Sequence, residues 1–418
     1  TTVTATASAP GTPIQTVNVW FDYGGGGMYA FEDITNAFNQ RFPSIKAIAT
    51  KVNDYATKRL NAIASNTLQG GWVWLMYGWE LPGYAEKKLL RPIDDYIARD
   101  KVNMKDFWPV VLADTSWNGK YYAMTNHPAV SVFWANQDLL RAKGMSPTVL
   151  PGNWDDILSA AQKLTTKVNG QLDIVGFDPT HVAYSSWAPA RMAANGVELL
   201  SADGRKATFN TAAAQAALNY VVKFVEQVYG GKPALDKWYK VNNFHYAPIA
   251  LGKEAMATDG NWWAWDISQQ KPPIPFIVGG FPGGPNNQGK QYLPELGVMN
   301  SIPAPATLPD PSWEYINFFA SKEGQIVMQR QSQDVPGNIA AAEDPAQVKS
   351  HFGRAEVLKL FEAASGFVYV RSPIYNKFND IFNKLSDDTL NKKVDITSAL
   401  QTAEQTAQAA LDSYWSGQ

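Results

Sequence analysis

Val17-Asn18-Val19-Trp20-Phe21-Asp22-Tyr23-Gly24-Gly25-Gly26-Gly27 is the stretch from which the fold can be read. Its first five residues alternate in character, the period-two pattern of a half-buried strand. Four glycines follow and predict a permissive loop where backbone can approach a ligand. Beyond them Phe31, Ile34, Phe38 and Phe42 recur near a 3.6-residue period, as on a helix with one apolar face. A phosphate-cradling loop would continue with Gly-Lys-Ser/Thr, and this one does not. Strand, loop and helix in succession form one step of an α/β architecture.

The same alternation continues outward. Leu218, Val221, Val222, Val225, Val228 and Tyr229 mark one amphipathic helix, and Leu400, Ala403, Ala407, Leu411 and Tyr414 another. From Pro272 to Pro311 prolines are frequent, with glycine pairs at Gly279-Gly280 and Gly283-Gly284, which predicts short strands and connecting loops. At 418 residues the chain exceeds one ordinary core, so two domains are expected. Residues 1–16 are small, polar and proline-containing and read as a flexible linker. An upstream segment removed before them, and a tether to a membrane surface, are expected.

Composition excludes several classes of function. A net charge of −2 without a basic stripe argues against nucleic-acid binding. With no cysteine there is no disulfide, thiolate catalysis or cysteine-based zinc site. The four histidines, His127, His181, His245 and His351, show no metal-ligand spacing, and no Gly-x-Ser-x-Gly elbow or calcium loop occurs. No metal, cofactor or catalytic residue is therefore expected. The 15 Trp and 18 Tyr have two readings, a large aromatic core or a surface that stacks on flat apolar faces such as sugar rings.

Five local patterns, in order, decide between these readings. They are Phe38-Asn39-Gln40-Arg41-Phe42-Pro43 with Tyr55 to Ser65; Gly83-Tyr84-Ala85 running into Leu89 to Tyr96; Asn118-Gly119-Lys120-Tyr121-Tyr122-Ala123-Met124 followed by Phe133 to Leu140; Asn153-Trp154-Asp155-Asp156-Ile157; and Leu251-Gly252-Lys253-Glu254-Ala255-Met256 through Trp262. Over residues 17 to about 340 the chain resembles the extracellular sugar-binding proteins of ABC importers, the family of maltose-binding proteins. The resemblance implies an α/β, two-lobed periplasmic-binding-protein fold with a hinge of about three crossing segments. The first lobe would take 17–127 and 293–334, and the second 130–290 and 337–418. Crossings would lie near His127–Ala129, Leu293–Gly297 and Val335–Gly337.

The resemblance also implies a function. A sugar or short oligosaccharide is captured between closing lobes and delivered to the permease subunits of an importer. The protein would act outside the cytoplasm as a monomer, without chemistry on its ligand. Sugar recognition needs aromatic faces for C–H surfaces and planar polar groups for hydroxyls. Four stretches supply both: Asp22 and Tyr23; Trp79 and Glu80; Tyr184 and Trp187, one helical turn apart; and Asp259 with Trp262 or Trp263, beside Gly260. Asn126, His127 and Arg371 are further candidates. Two alternatives carry the same aromatic signal, a glycoside hydrolase with paired carboxylates and a binding protein for a glycerol phosphoester.

Overall fold

The computed structural model describes residues 14–183, 185–361 and 369–417. The chain divides into two compact units, residues 1–129 with 295–358 and residues 130–294 with 359–418. It therefore passes from one unit to the other three times.

In the first unit, β1 (Gln15–Phe21), α1 (Gly25–Arg41), β2 (Ile45–Lys51), α2 (Tyr55–Ala64) and β3 (Gly71–Tyr77) follow in order. β1 pairs in parallel with β2 on one side and β3 on the other. The crossing strand β4 (Ala123–Asn136) enters the second unit. That unit holds α3 (Trp154–Leu164), β5 (Thr166–Val168), β6 (Gln171–Phe177), α4 (Trp187–Ala194), α5 (Ala212–Tyr229), α6 (Lys232–Asn242), β7 (Glu254–Gly260), α7 (Trp263–Ser268) and β8 (Phe276–Gly279). The chain returns to the first unit with β9 (Glu295–Ser301), α8 (Pro309–Ala320) and α9 (Lys322–Ser332), and ends in the second with α10 (Tyr375–Leu390) and α11 (Ile396–Ser416). β9 runs antiparallel to β3. In the second unit β6 and β7 are parallel, and β7 and β8 both lie antiparallel to β4.

Each unit has its own core. Phe31, Ile34 and Phe38 of α1 are fully buried with Val17 and Val19 of β1 and Trp313 and Phe319 of α8. Thr35 Oγ1 and Tyr315 Oη, 2.9 Å apart, satisfy each other inside this core. Leu218, Val221, Phe224 and Val225 of α5 pack with Leu400 and Leu411 of α11 in the second core. Local chemistry starts and stops these helices. Asn153 accepts from Asp156 N at the start of α3, and Thr211 from Ala214 N at the start of α5. Gly230, at φ 82°, closes α5 in a conformation that suits glycine.

Three expectations are corrected. Gln15 and Thr16 belong to β1, so the linker expected over 1–16 cannot extend past Ile14; residues 1–13 lie outside the described residues. Gly25, Gly26 and Gly27 form the first turn of α1 instead of a loop. The use of Gly27 is steric: a Cβ there would come within 2.7 Å of the Tyr23 ring. The third crossing falls at 358/359, beyond Val335–Gly337. Arg354 is the reason, because it donates to Gln329 Oε1 and to the carbonyls of Gln333 and Asp334, which holds this stretch on α9.

Candidate ligand-binding site

In open α/β sheets, ligands meet the protein at the C-terminal ends of the parallel strands. The first unit presents three such ends and the second two, and most of the candidate residues stand there.

In the first unit, Asp22 and Tyr23 leave the end of β1, and Trp79 and Glu80 follow the end of β3. Tyr77 joins the two groups. Its hydroxyl donates to Asp22 Oδ1 at 3.1 Å, and its ring stacks on Trp79 with centroids 4.5 Å apart and planes within 7°. Burial raises the pKa of Asp22, and the Tyr77 bond offsets only part of that. Tyr23 Oη lies 2.7 Å from His127 Nε2. Asn126 and His127 are buried on β4, where Asn126 Nδ2 donates to Asn300 Oδ1 at 3.3 Å and His127 Nε2 is 3.7 Å from Asp334 Oδ2. They are packed into the first unit and present little surface to a ligand.

Glu80 has a different task from the one expected. Its Oε1 pairs with Arg59, whose side chain is 1 % exposed against 13 % for Glu80, and its Oε2 accepts from Tyr77 N. Arg59 also lies over the Tyr55 ring at 4.3 Å. Glu80 is therefore an internal counter-ion that shapes the turn carrying Trp79.

In the second unit, the strand ends of β6 and β7 converge. Asn261 Oδ1 accepts from Val130 N, and Asn261 N donates to Val130 O, which anchors the turn after β7 to β4. Trp262 is half-buried, and its indole lies over Gly260: a Cβ at Gly260 would stand 1.8 Å from the ring. Only glycine allows that placement. Trp263 faces inward, 6 % exposed, with its ring 5.4 Å from that of His181. Asp259 Oδ1 accepts from Gly260 N, and its Oδ2 lies 2.5 Å from His181 Nε2. Of the two tryptophans, Trp262 is thus the one with an accessible face.

The helix expected to present Tyr184 and Trp187 together begins only at Trp187, which is 5 % exposed in the core of the second unit. It is a core residue. Tyr184 lies outside the described residues. Arg371 is half-buried on the segment before α10, away from the β6 and β7 strand ends in sequence. Two features went unseen in the sequence. Tyr77 is the bridge in the first unit, and His181 the partner of Asp259 in the second. Asp178-Pro179-Thr180 directly after β6 was a readable turn signal for the second.

Parallel strand ends bearing aromatic faces and fixed polar groups, on two α/β units crossed three times by the chain, define a binding protein of the periplasmic-binding-protein fold. The chain belongs to the bacterial extracellular solute-binding proteins, whose family model matches residues 24–326. It is 24 % identical over 332 residues to an uncharacterized ABC transporter extracellular-binding protein of Pyrococcus horikoshii, covering 77 % of this chain and 71 % of that one. Among solved structures it is similar to CpMnBP1 with mannobiose bound, with a TM-score of 0.79 and 21 % identity over 94 % of this chain and 100 % of that one. A cyclic alpha-maltosyl-1,6-maltose binding protein from Arthrobacter globiformis gives a TM-score of 0.75 at 19 % identity, over 96 % and 99 % of the two chains. An ABC transporter solute-binding protein from Thermotoga lettingae, bound with alpha-D-tagatose, gives 0.78 at 16 %, over 96 % and 100 %. At these identities the solved structures establish the fold.

Proposed function

We propose that the protein captures a neutral sugar or short oligosaccharide and hands it to the membrane subunits of an ABC importer, unaltered. The observation that carries this reading is the Trp262 indole, held over Gly260 at the end of β7. A half-buried indole fixed in orientation suits the C–H face of a pyranose, and Asp259 and Asn261 beside it suit hydroxyls. The solved relatives bound to mannobiose and tagatose support sugar as the ligand. Arg59 beside the end of β3 is spent on Glu80 and is not free for a phosphoester. The protein works as a monomer outside the cytoplasm, tethered through its N-terminal stretch. Among the described residues no helix is long and apolar enough to cross a membrane.

The test is a thermal-shift screen of mono- and oligosaccharides. A ligand of the folded state at 100 times its Kd stabilises by about 2.7 kcal/mol. No shift with any saccharide, together with a shift from a phosphoester, would replace this reading. With the best saccharide, Trp262→Ala is expected to weaken binding by about 1–3 kcal/mol in calorimetry while the fold persists. An unchanged affinity would make Trp262 a packing residue. Capture by closure of the two units predicts a smaller radius of gyration in solution scattering with saturating sugar, and an unchanged radius would count against it.

A further inference from the structure

His181 has no role in the expectations drawn from sequence, yet buried groups of the second unit hold its ring and its carbonyl. Its side chain is 34 % exposed, at the C-terminal end of β6. Nε2 is bound to Asp259 Oδ2. Among the described residues no protein group hydrogen-bonds Nδ1. The backbone carrying the ring is pinned from several sides. Arg191 is fully buried and forms no ion pair among the described residues, but its Nε donates to Pro179 O at 2.9 Å and its Nη2 to His181 O at 3.2 Å and Thr258 Oγ1 at 2.9 Å. Thr258 Oγ1 donates to the same His181 carbonyl. Asp178 Oδ1 accepts from Thr180 N and Thr180 Oγ1, and its Oδ2 accepts from Tyr239 Oη.

A buried arginine that holds a loop by its carbonyls costs desolvation, which the charge of Asp178 offsets only in part. Its product is a rigid loop that carries the part-exposed imidazole next to Trp263 and the Asp259–Gly260 turn. Rigid support of this kind is what a recognition group needs.

We infer that His181 is a specificity-determining ligand contact: its Nδ1–H is a preorganised donor to an oxygen of the captured saccharide, held in place by Asp259 and by the Arg191 clamp. The inference rests on the sugar reading above. The chemistry of the pair makes the donor conditional. Asp259 keeps a proton on Nε2 in every state, so when the imidazolium loses its second proton the loss falls on Nδ1, which turns from donor to acceptor. The groups facing this ring are Asp259 and Glu254 from β7, Asp178 after β6, Arg191 from α4, Tyr239 from α6 and, behind Asp259, Asp266 of α7. Burial alone would lower the pKa of His181, but the bond to Asp259 and the surrounding carboxylates raise it to about 9. The donor is thus present at neutral pH and lost in the alkaline range.

The experiment is calorimetric titration of the wild type, His181→Leu and His181→Gln with the tightest of mannobiose, mannotriose, maltose and tagatose, from pH 7 to pH 10. At pH 7, His181→Leu should bind roughly ten- to a hundredfold more weakly, the loss of one charge-assisted hydrogen bond. His181→Gln keeps a neutral donor, so it should fall between the two and stay flat with pH. The wild-type affinity should drop as pH passes about 9. A His181→Leu affinity within twofold of wild type, or a wild-type affinity flat through pH 10, overturns the inference. Should His181→Leu fail to fold, the wild-type and His181→Gln profiles decide alone. If none of the four sugars binds, the titration uses the best saccharide of the thermal-shift screen; if no saccharide binds and a phosphoester does, the sugar reading falls and takes this inference with it, whereas sugar binding without a His181 effect sinks the inference alone.

Discussion

Glu80→Ala is expected to destabilise the first unit by about 3–5 kcal/mol, the cost of leaving a buried charge without its partner. Arg59 is 1 % exposed, and Glu80 is the only carboxylate paired with it among the described residues. The remaining contacts of the guanidinium are a bond to Leu75 O at 3.4 Å and the faces of Tyr55, Tyr84 and Trp74 at 4.3, 5.2 and 6.0 Å. These orient the ion without neutralising it. The loss also spreads outward, because Tyr55 Oη bonds to the carbonyls of Trp20 and Leu75 and so ties α2 to β1 and β3. Scanning calorimetry should show the transition of the first unit shifted well down. Replacing both partners, Arg59→Met with Glu80→Leu, should recover much of the loss, since an apolar pair of similar volume carries no desolvation penalty. A Glu80→Ala loss below about 1 kcal/mol would show the pair to be hydrated, as surface pairs are.

The second large effect is a loss of stability on the alkaline side. Glu254 is 1 % exposed at the start of β7. Burial raises its pKa to about 8, although the charge of His181 pulls the other way. Its Oε1 accepts from Asp178 N at 3.2 Å, and its buried Oε2 has no partner among the described residues. Both Glu254 and His181 therefore hold a proton more tightly in the folded than in the unfolded chain. For Glu254 the stability is fully present below about 4.5 and lost as pH rises to about 8. For His181 it is fully present below about 6.5 and lost as pH rises through about 9. While such a group is protonated only in the folded state, each costs about 1.4 kcal/mol per pH unit. Glu254→Gln keeps the acceptor for Asp178 N and removes one of the two titrations. Its stability relative to wild type, from urea unfolding, should grow through the range up to about pH 8 and then level off. A difference independent of pH would mean that Glu254 is already ionised in the folded protein.

Both predictions turn on pairs that the sequence leaves open. The helices α1, α5 and α11, the strand β1 and the proline-rich strands and loops after residue 271 are legible from periodicity and turn residues, because those signals act over a few positions. The ordered local motifs added the family and with it the fold. Trp262 could be singled out because Gly260 stands two places before it. Trp187 could not be assigned, since a tryptophan entering a helix reads the same whether that face meets a core or a ligand, and here it meets the core.

Pairing is decided elsewhere. Glu80 meets Arg59 across 21 residues, Tyr77 meets Asp22 across 55, and Asp259 meets His181 across 78. Each pair exists because elements distant in sequence became neighbours in the fold, which no local pattern encodes. By itself the sequence determined most of the elements and their buried faces, since hydrophobic burial depends on spacing along the chain, and its ordered motifs carried the resemblance to the class. Only the tertiary structure decided which polar groups are spent on one another and which are left for a ligand, because hydrogen bonds and ion pairs need atoms within about 3–4 Å in space.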